Sequence, residues 1–221
     1  MTEINNLLDL TKTRAAAIFK GKTYAWEILD ELKAFIVKLG ETLPANEFDH
    51  PSEGVWIAKD ATVFPSAYIG APCIIDHGAE VRHCAFIRGS AIVGKNCVVG
   101  NSVELKNALL FDNVQVPHYN YVGDSVLGYK SHMGAGSITS NVKSDKTLVT
   151  VRDPDGYIPT GRKKLGAILG DNVEVGCNSV LNPGTVVCRG SNVYPVSCVR
   201  GVVPPHSIWK TGGVIAPKED R

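Results

Sequence analysis

The sequence predicts an all-β protein built as a parallel β-helix of hexapeptide repeats, and three observations support this prediction. Aliphatic residues recur at every sixth position between Ile57 and Leu105. A mostly small residue follows each of them four positions later, from Ala61 to Leu109. A helix repeats about every 3.6 residues and a strand about every two, so neither period alone produces a step of six.

Each repeated aliphatic side chain is expected to point into a coil, while the small residue lets the chain turn a corner. The first run consists of Ile57, Val63, Ile69, Ile75, Val81, Ile87, Val93, Val99 and Leu105. The step shortens to five between Leu105 and Leu110, and then returns to six at Val116 and Val122. It shortens to five again before Leu127, and Met133 follows after a normal step. A second run of the same period consists of Leu169, Val175, Leu181, Val187, Val193 and Val199.

Residues 1–50 carry a different pattern, with apolar residues at helical spacing. One stripe comprises Leu7, Leu8, Leu10, Ala15 and Ile18, and a stronger one comprises Trp26, Ile28, Leu29, Leu32, Phe35, Ile36 and Leu39. Thr23 is the expected N-cap of the second helix, and Gly40 is the residue expected to end it. We therefore predict an N-terminal helical hairpin that caps the β-helix or joins subunits.

The β-helix domain is expected to span residues 51–204 and to carry one protruding loop. Residues 140–166 are polar and non-periodic, and an excursion of this length within a tight repeat is usually functional or disordered. Asp-Pro-Asp-Gly at 153–156 predicts a turn between short strands at 147–151 and 157–158. Pro204-Pro205 ends the periodic part, so residues 205–221 are expected to form an extended tail.

Composition excludes several classes of function. The 23 basic and 22 acidic residues nearly cancel, so no overall field favours nucleic acid or an anionic membrane. No apolar run approaches the roughly 20 residues of a membrane span, and no secretory signal is recognisable, so we expect a cytoplasmic protein. The six cysteines contain no C-x-x-C pair, which argues against a disulfide framework or a paired-cysteine zinc site and favours small buried thiols.

The predicted scaffold also implies partners. The ends of a β-helix expose unpaired strand edges, and the N-terminal helices and C-terminal tail are available to cap them. Flat faces with exposed apolar side chains favour lateral association, and the candidates are Phe86, Leu109, Phe111 and Tyr119. We therefore expect a cyclic homo-oligomer.

Several motifs resemble the acetyltransferase domain of bacterial N-acetylglucosamine-1-phosphate uridyltransferase, which also acetylates glucosamine-1-phosphate. They are V-E-L-K-N (103–107), V-P-H-Y-N-Y-V-G-D (116–124), M-G-A-G-S-I-T-S-N (133–141) and L-G-D-N-V-E-V-G (169–176). The G-R-K-K-L-G-A motif (161–167) is closer to archaeal sugar-1-phosphate nucleotidylyltransferase/acetyltransferases. The resemblance covers residues 55–200 and implies a left-handed parallel β-helix, a homotrimer with active sites between subunits, and acetyl-CoA as the donor.

The resemblance assigns roles to individual residues. His118 matches the catalytic base, and an imidazole with a pKa of about 6.5 can take the proton of an attacking amine near neutral pH. Arg88 and Lys106 match phosphate-binding positions, and their spacing of eighteen residues equals one full coil, which predicts that they share one column. Tyr121 and Asn141 match acceptor contacts, and Ala135 and Cys177 are assigned as donor contacts. His132 stands at a sugar-contact position, and Lys146 lies beside Thr147, at or near the place of a family lysine that has no same-spaced match here. The five-residue steps on either side of 116–124 suggest that His118 and Tyr121 are displaced from the flat wall.

The departures narrow the expected activity. No nucleotide-binding domain precedes the repeats, so uridyltransferase activity is expected to be absent. Asn141 is followed by Val142 where the family has Tyr, and His132 stands where an Asn often contacts the sugar, so the acceptor sugar stays open. The expected function is N-acetylation of an amino-sugar-1-phosphate, either glucosamine-1-phosphate or galactosamine-1-phosphate, with no metal required for acetyl transfer.

Two alternatives remain open from the sequence. A non-catalytic hexapeptide scaffold would use the helical hairpin to dock a partner protein. A γ-type carbonic anhydrase would use three histidines on zinc, and His83 and His118 have a suitable separation of 35 residues. Positions 122 and 123, where the third ligand is expected, are Val and Gly.

Overall fold

The computed structural model describes residues 1–153 and 156–219 and shows a left-handed parallel β-helix, which confirms the predicted fold class. The repeated aliphatic side chains line the interior of the coils, as the step of six predicts. From Ile75 to Leu105 and from Leu169 to Val199, none of them is more than 3% exposed. Only the first coil is looser, because Ile57, Val63 and Ile69 are half-buried.

Three flat faces surround this interior. Face 1 contains Tyr68–Ile69, Phe86–Ile87, the first halves of Glu104–Leu110 and Tyr121–Leu127, Ile138–Thr139, Val180–Leu181 and Cys198–Val199. Face 2 contains Thr62–Val63, Glu80–Val81, Val98–Asn101, Gln115–His118, His132–Met133, Glu174–Val175, Asn192–Val193 and Ser207–Lys210. Face 3 contains Val55–Ala58, Cys73–Ile75, Ala91–Val93, the second halves of the two long strands, Ala167–Leu169, Thr185–Val187 and Val202–Val203.

The five-residue steps have a clear structural consequence. Glu104–Leu110 and Tyr121–Leu127 are long strands that run from face 1 to face 3 without a break. Removing one residue from the repeat tightens the corner between these faces, where Asn107 and Asp124 take positive φ values of 51° and 49°. The irregularity therefore lies at the Lys106 corner, and not at His118 as the sequence suggested. His118 ends a strand that pairs regularly with the preceding coil.

Face 3 is apolar on both sides because the chain covers it with its own segments. Its outward residues Ile74, Ile92 and Leu109 are 0–1% exposed. The N-terminal helices pack over its upper part, and the strand Thr150–Asp153 packs over its lower part. The prediction that Leu109 and Phe111 are exposed and available for lateral association is therefore wrong. Both are completely buried, and Phe111 meets the ring of Phe19 edge to face, with 5.9 Å between the ring centroids.

The N-terminal segment is helical, but it differs from the expected pair of long helices. It consists of Ile4–Leu7, three 3₁₀ turns (Leu10–Lys12, Ala16–Phe19, Ala25–Asp30) and the α-helix Leu32–Gly40. Gly40 is the last helical residue rather than the one that follows the helix. Thr23 is not the N-cap; the Glu27 carboxylate accepts hydrogen bonds from the backbone amides of Thr23 and Tyr24 at 2.7 and 3.0 Å.

The N-terminal segment is tied to the β-helix by a charged contact. Arg14 donates two hydrogen bonds, of 2.7 and 2.8 Å, to the carboxylate of Asp76, which is fully buried. This hydrogen bonding raises the pKa of Arg14. Breaking such a pair strands a buried charge, so the segment is anchored as well as packed.

Both ends of the β-helix carry antiparallel strands. Phe48–Ser52 pairs with Val55–Ala58 at the start, and Val214–Pro217 pairs with Ser207–Lys210 at the end. Such strands cover edges that would otherwise be free to pair with other chains. Residues 205–219 are therefore not an extended tail, because Ser207–Lys210 adds a parallel strand to face 2 before the chain turns back.

The excursion leaves the coil after Asn141 and returns at Gly166, whose amide donates to the Asp124 carbonyl oxygen at 2.9 Å. It contains an antiparallel hairpin of Thr150–Asp153 and Gly156–Pro159, close to the predicted strands. Two residues of the predicted turn, Pro154 and Asp155, lie outside the described residues.

The cysteines divide into two groups. Cys73, Cys97 and Cys188 are buried, as expected, and burial raises the pKa of Cys73 to about 12 and that of Cys188 to about 11. The expectation fails for Cys84, Cys177 and Cys198, which are exposed at the corners and on face 1. Among the described residues, none of the helices combines the length and apolar character that a membrane crossing requires.

Candidate functional site

Three of the residues singled out in the sequence lie in one column along the edge between faces 2 and 1. The amide of Gly136 donates to the carbonyl oxygen of His118, and that of Asn178 donates to the carbonyl oxygen of Ala135. In a parallel ladder this pattern puts His118, Ala135 and Cys177 at equivalent positions on three successive coils. The candidate base and both candidate donor contacts therefore follow one straight line.

Asn120 fixes the corner that carries His118. Its side-chain oxygen accepts a hydrogen bond from the His118 amide at 3.1 Å. Its side-chain nitrogen donates to the carbonyl oxygens of Gly134 and Ser137 on the next coil, at 2.8 and 3.1 Å. Asn120 is only 2% exposed, so this amide holds the backbone of His118 in register with the coil below. The sequence stretch contained this residue, but its positioning role was not predicted.

A second column runs along the edge between faces 1 and 3. The pairing of Glu104 with Phe86 and of Leu105 with Ile87 brings Lys106 below Arg88, as their spacing predicts. Arg88 donates to Glu104 at 2.9 Å, which raises the pKa of its guanidinium, and its side chain is 47% exposed. Equivalent positions at the two edges are five residues apart on one coil, and on the coil of His118 the corner residue Tyr119, with a φ of +52°, lies between them. The two columns therefore flank face 1.

Asp124 is the centre of the second column. Its carboxylate accepts hydrogen bonds from Lys106 at 2.9 Å, from Asn107 at 2.9 Å and from Asn141 at 2.6 Å. The residue is 2% exposed, and three donors compensate its burial. Lys106 and Asn141 are thus brought together and oriented by the last residue of the 116–124 motif, an orienting role that was not predicted.

Tyr121 lies across the same corner. Its hydroxyl accepts a hydrogen bond from Asn141 at 3.2 Å. The ring approaches Gly123 so closely that a Cβ there would lie 2.4 Å from the hydroxyl oxygen, so only glycine leaves room for this conformation. Burial raises the pKa of Tyr121, and the charges of Asp124 and Glu104 raise it further. The phenol is therefore protonated at neutral pH and available as a donor.

The returning end of the excursion adds further cations beside Lys106. A cavity of about 360 Å³ is lined by Lys106, Asn107 and Asp124 from the corner and by Asp30 and residues 161–164. Arg162 forms an ion pair of 2.6 Å with Asp30 and so links the excursion to the N-terminal segment. We call this the upper cavity. Lys163 and Lys164 belong to the G-R-K-K-L-G-A motif, which was the available signal for them.

Two predicted acceptor contacts lie elsewhere in this chain. His132 is on face 2, where its Nδ1 lies 2.8 Å from the carboxylate of Glu174. Lys146 is exposed in a turn of the excursion, in which its amide donates to the Lys143 carbonyl oxygen. Neither contacts the residues around Asp124, so the predicted acceptor set is only partly assembled within one subunit.

The residues that suggested a zinc enzyme are not adjacent. His83 and His118 occupy one column with Asn101 between them, so two strand spacings, about 9.6 Å, separate them. Within residues 1–153 and 156–219, His, Cys, Asp and Glu side chains do not gather in groups of three or more that could hold a metal ion.

Comparison with known proteins adds to this geometry. Residues 68–203 match the family model described as "GMPPB C-terminal domain". A "Bifunctional sugar-1-phosphate nucleotidylyltransferase/acetyltransferase" of Sulfurisphaera tokodaii is 33% identical over 146 residues, which cover 66% of this chain and 36% of the relative. A "Bifunctional protein GlmU" of Methanococcus maripaludis is 39% identical over 89 residues, which cover 40% of this chain and 21% of the relative. The chain therefore spans only about a fifth to a third of the length of these curated relatives.

Among solved structures, the "Acetyltransferase domain of PglB" from Neisseria gonorrhoeae superposes with a TM-score of 0.37 at 17% identity. The match covers 87% of this chain and 66% of that one.

Proposed function

The chain belongs to the GMPPB C-terminal domain family, and on that premise we propose that it is an acetyl-CoA-dependent N-acetyltransferase acting on an amino-sugar-1-phosphate. The observation that carries this proposal is the pair of columns flanking face 1. One column holds a histidine above two donor candidates, and the other holds Arg88 and Lys106. Acetyl transfer to a phosphorylated amine requires a base near the amine and cations near the phosphate. The two edges of face 1 carry these two kinds of group, the base on one edge and the cations on the other.

In the proposed reaction the sugar amine attacks the carbonyl carbon of the acetyl thioester. His118 removes a proton from the amine nitrogen as the new C–N bond forms. The C–S bond then breaks, and the CoA thiolate leaves and takes a proton, so the imidazole is returned to its neutral form when it supplies that proton. His118 is exposed, and its backbone is fixed by Asn120, so it is accessible to an acceptor lying on face 1.

The sugar phosphate is proposed to bind at the upper cavity. Lys106, Lys163 and Lys164 line the cavity and supply positive charge there. Arg88 lies one coil before Lys106 in the same column, and the protonated phenol of Tyr121 bonds to Asn141 at the same corner, so both are proposed to add donors to the phosphate. Asn141 donates to both Tyr121 and Asp124, so it orients the tyrosine rather than standing apart from it. Lys106 keeps a side-chain exposure of 28% despite its ion pair, which leaves part of the ammonium open to a ligand.

The acetyl-CoA donor is proposed to extend along the column of His118, Ala135 and Cys177. A straight column of backbone groups suits an extended pantetheine arm, and the small side chain of Ala135 permits close approach. We propose a homotrimer, because Phe86 on face 1 and Tyr119 at the corner between faces 2 and 1 are exposed apolar residues that the described part of the chain does not cover. In such an assembly His132, on face 2, would be available to a neighbouring subunit.

The direct test is a thiol-release assay with acetyl-CoA and four acceptors: glucosamine-1-phosphate, galactosamine-1-phosphate and the two corresponding UDP-amino sugars. We expect turnover with at least one amino-sugar-1-phosphate and its loss in His118→Ala. His83→Ala is the matched control, because His83 is also exposed and lies in the same column two coils earlier. Absence of transfer to every amino-sugar-1-phosphate would show that the proposal is wrong.

A further inference from the structure

The excursion covers a second cavity, separate from the upper one. This lower cavity has a volume of about 430 Å³, and its lining includes Lys143, Arg152, Tyr157 and Arg200. It shares none of its lining residues with the upper cavity. The two cavities therefore divide the cations of the excursion into two groups, of which the proposed reaction uses only one.

The floor of the lower cavity continues the column of Arg88 and Lys106 along later coils. The amide of Ser140 donates to the Leu181 carbonyl oxygen, and that of Asn182 donates to the Val199 carbonyl oxygen. Ser140, Asn182 and Arg200 therefore occupy equivalent positions on three successive coils. These are the coil levels that also carry Ala135 and Cys177 at the other edge of face 1.

The wall of the cavity is the excursion hairpin, which is rigidly packed. Val149 and Val151 are completely buried against face 3. The hairpin backbone rests directly on the coil, because a Cβ on Gly201 would lie 3.0 Å from the Arg152 carbonyl oxygen. Gly201 also has a φ of +83°, a conformation that favours glycine. Arg152 is thus held at a fixed height above Arg200.

The lining has uncompensated positive charge. Lys143 lies 3.3 Å from Asp145, so one cation is paired. Among the described residues, Arg200 makes one hydrogen bond, a long one of 3.4 Å to Asn182. The guanidinium of Arg152 forms no hydrogen bond or ion pair with the other described residues. Within this part of the chain neither guanidinium has a carboxylate partner, so their N–H groups can donate to phosphate oxygens.

An aromatic ring stands beside these charges. Tyr157 is directly opposite Arg152 in the hairpin, so both side chains project from the same side of it. Tyr157 is 67% exposed, an unusual state for a large ring fixed on a packed hairpin. An exposed aromatic face next to a guanidinium is the combination on which nucleobases stack.

We propose that the lower cavity binds a nucleoside diphosphate group, with the phosphates on Arg152 and Arg200 and the base on Tyr157. This group has two possible sources, a free nucleotide or the ADP portion of a CoA donor. The second source rests on the proposed function, whereas the cavity itself does not. Its position at the coil levels of Ala135 and Cys177 is compatible with either.

The test is isothermal titration calorimetry with ADP as the probe. We expect saturable binding to the wild-type chain and a loss of affinity of at least about tenfold in both Arg152→Gln and Arg200→Gln, because each removes charge-assisted hydrogen bonds. Tyr157→Leu should weaken binding about fivefold or more through lost stacking. Lys33→Gln is the matched control; it removes one exposed cation on the helix Leu32–Gly40, far from the cavity, and should change affinity less than about twofold.

A competition experiment distinguishes the two sources. If CoA displaces ADP, and both arginine variants weaken CoA but not 4′-phosphopantetheine, the cavity receives the nucleotide end of the donor. If ADP and CoA bind at the same time, it receives a free nucleotide. No ADP binding to wild-type protein at millimolar concentration, or binding that both arginine variants leave unchanged, overturns the proposal. Nucleotide binding is measured independently of turnover. The protein can therefore fail to bind ADP and still transfer acetyl groups, or bind ADP without transferring them.

Discussion

The ammonium of Lys106 lies 2.9 Å from Oδ1 of Asp124, a carboxylate that is almost completely buried at the same corner one coil later. The two residues lie at the corner between faces 1 and 3, where the step shortens to five residues on two successive coils. The tight corner turns the Asp124 side chain toward Lys106, Asn107 and Asn141. The shortened step thereby brings these polar side chains together in a preorganised site.

Asp124→Asn should lower the free energy of unfolding by about 2 kcal/mol, because an amide presents its own N–H groups to three donors and leaves Lys106 without its counter-charge. Urea unfolding followed by circular dichroism measures this loss. Asp145→Asn is the control, since Asp145 is exposed and pairs with Lys143 in the excursion. Its cost should be much smaller, because exposed ion pairs contribute little to stability. Equal effects of the two substitutions would contradict the central role of Asp124.

Tyr121 provides a prediction about pH. Its folded pKa is raised, first by burial and then by Asp124 and Glu104. A raised pKa means that the folded state holds the proton more tightly. The associated stability is therefore present below the unfolded pKa of about 10 and is lost as the pH rises through the folded pKa. Absorbance titration near 295 nm should show one late-titrating tyrosine that is missing in Tyr121→Phe.

The control for this titration is Tyr119→Phe, because Tyr119 is 63% exposed two residues away. Its removal should leave the late phase intact. A late phase that persists in Tyr121→Phe would assign the shift to another tyrosine.

The repeat itself could be predicted because stacking leaves little freedom. A step of six determines which side chains point inward, and a separation of eighteen determines the column, so Arg88 and Lys106 could be paired from their numbers alone. The same regularity puts His118 and Ala135 at equivalent positions on successive coils, provided that the five-residue step between Val122 and Leu127 is included. Because the backbone pairs with a fixed period, the separation of two residues in the sequence determines their separation in space.

The positions of the excursion residues could not be predicted in this way, because a loop has no repeated backbone pairing that relates a residue's number to its place in the structure. Nothing in the spacing indicated that Lys163 and Lys164 return beside Lys106. The covering of face 3 did have a signal that was missed. Its strands read as uninterrupted apolar triplets, such as Cys73–Ile75 and Ala91–Val93, with no polar residue on the outward side. Such triplets are typical of strands buried on both sides.

Leu109 and Phe86 test which face the chain itself covers. Leu109→Ala should lower the free energy of unfolding by about 3 kcal/mol, because it opens a cavity beneath the N-terminal segment, and it should leave the oligomeric mass unchanged. Phe86 is 44% exposed on face 1. If that face joins subunits, Phe86→Ala should weaken association. Light scattering over a range of protein concentrations measures the association, and a monomeric wild-type protein would exclude the proposed trimer.

Asn120 should act on catalysis through His118. Asn120→Ala removes the acceptor of the His118 amide and the side-chain donor that links this corner to the carbonyl oxygens of Gly134 and Ser137. We expect kcat for acetyl transfer to fall about 10- to 100-fold, because a shift of the base by a fraction of an ångström is sufficient for such a loss. KM for the acceptor should stay within about twofold, since Arg88 and Lys106 lie at the other edge of face 1.

Asn101→Ala is the matched control for Asn120. Asn101 also spans two coils, donating to the His83 carbonyl oxygen at 3.1 Å, but it makes none of the Asn120 contacts. Both substitutions remove an intercoil amide, so a purely structural role would give similar losses of kcat and of thermal stability. A selective fall in kcat for Asn120→Ala, with crystal structures showing a displaced His118, would identify Asn120 as the residue that positions the base. Equal kinetic effects of the two variants would reject that role.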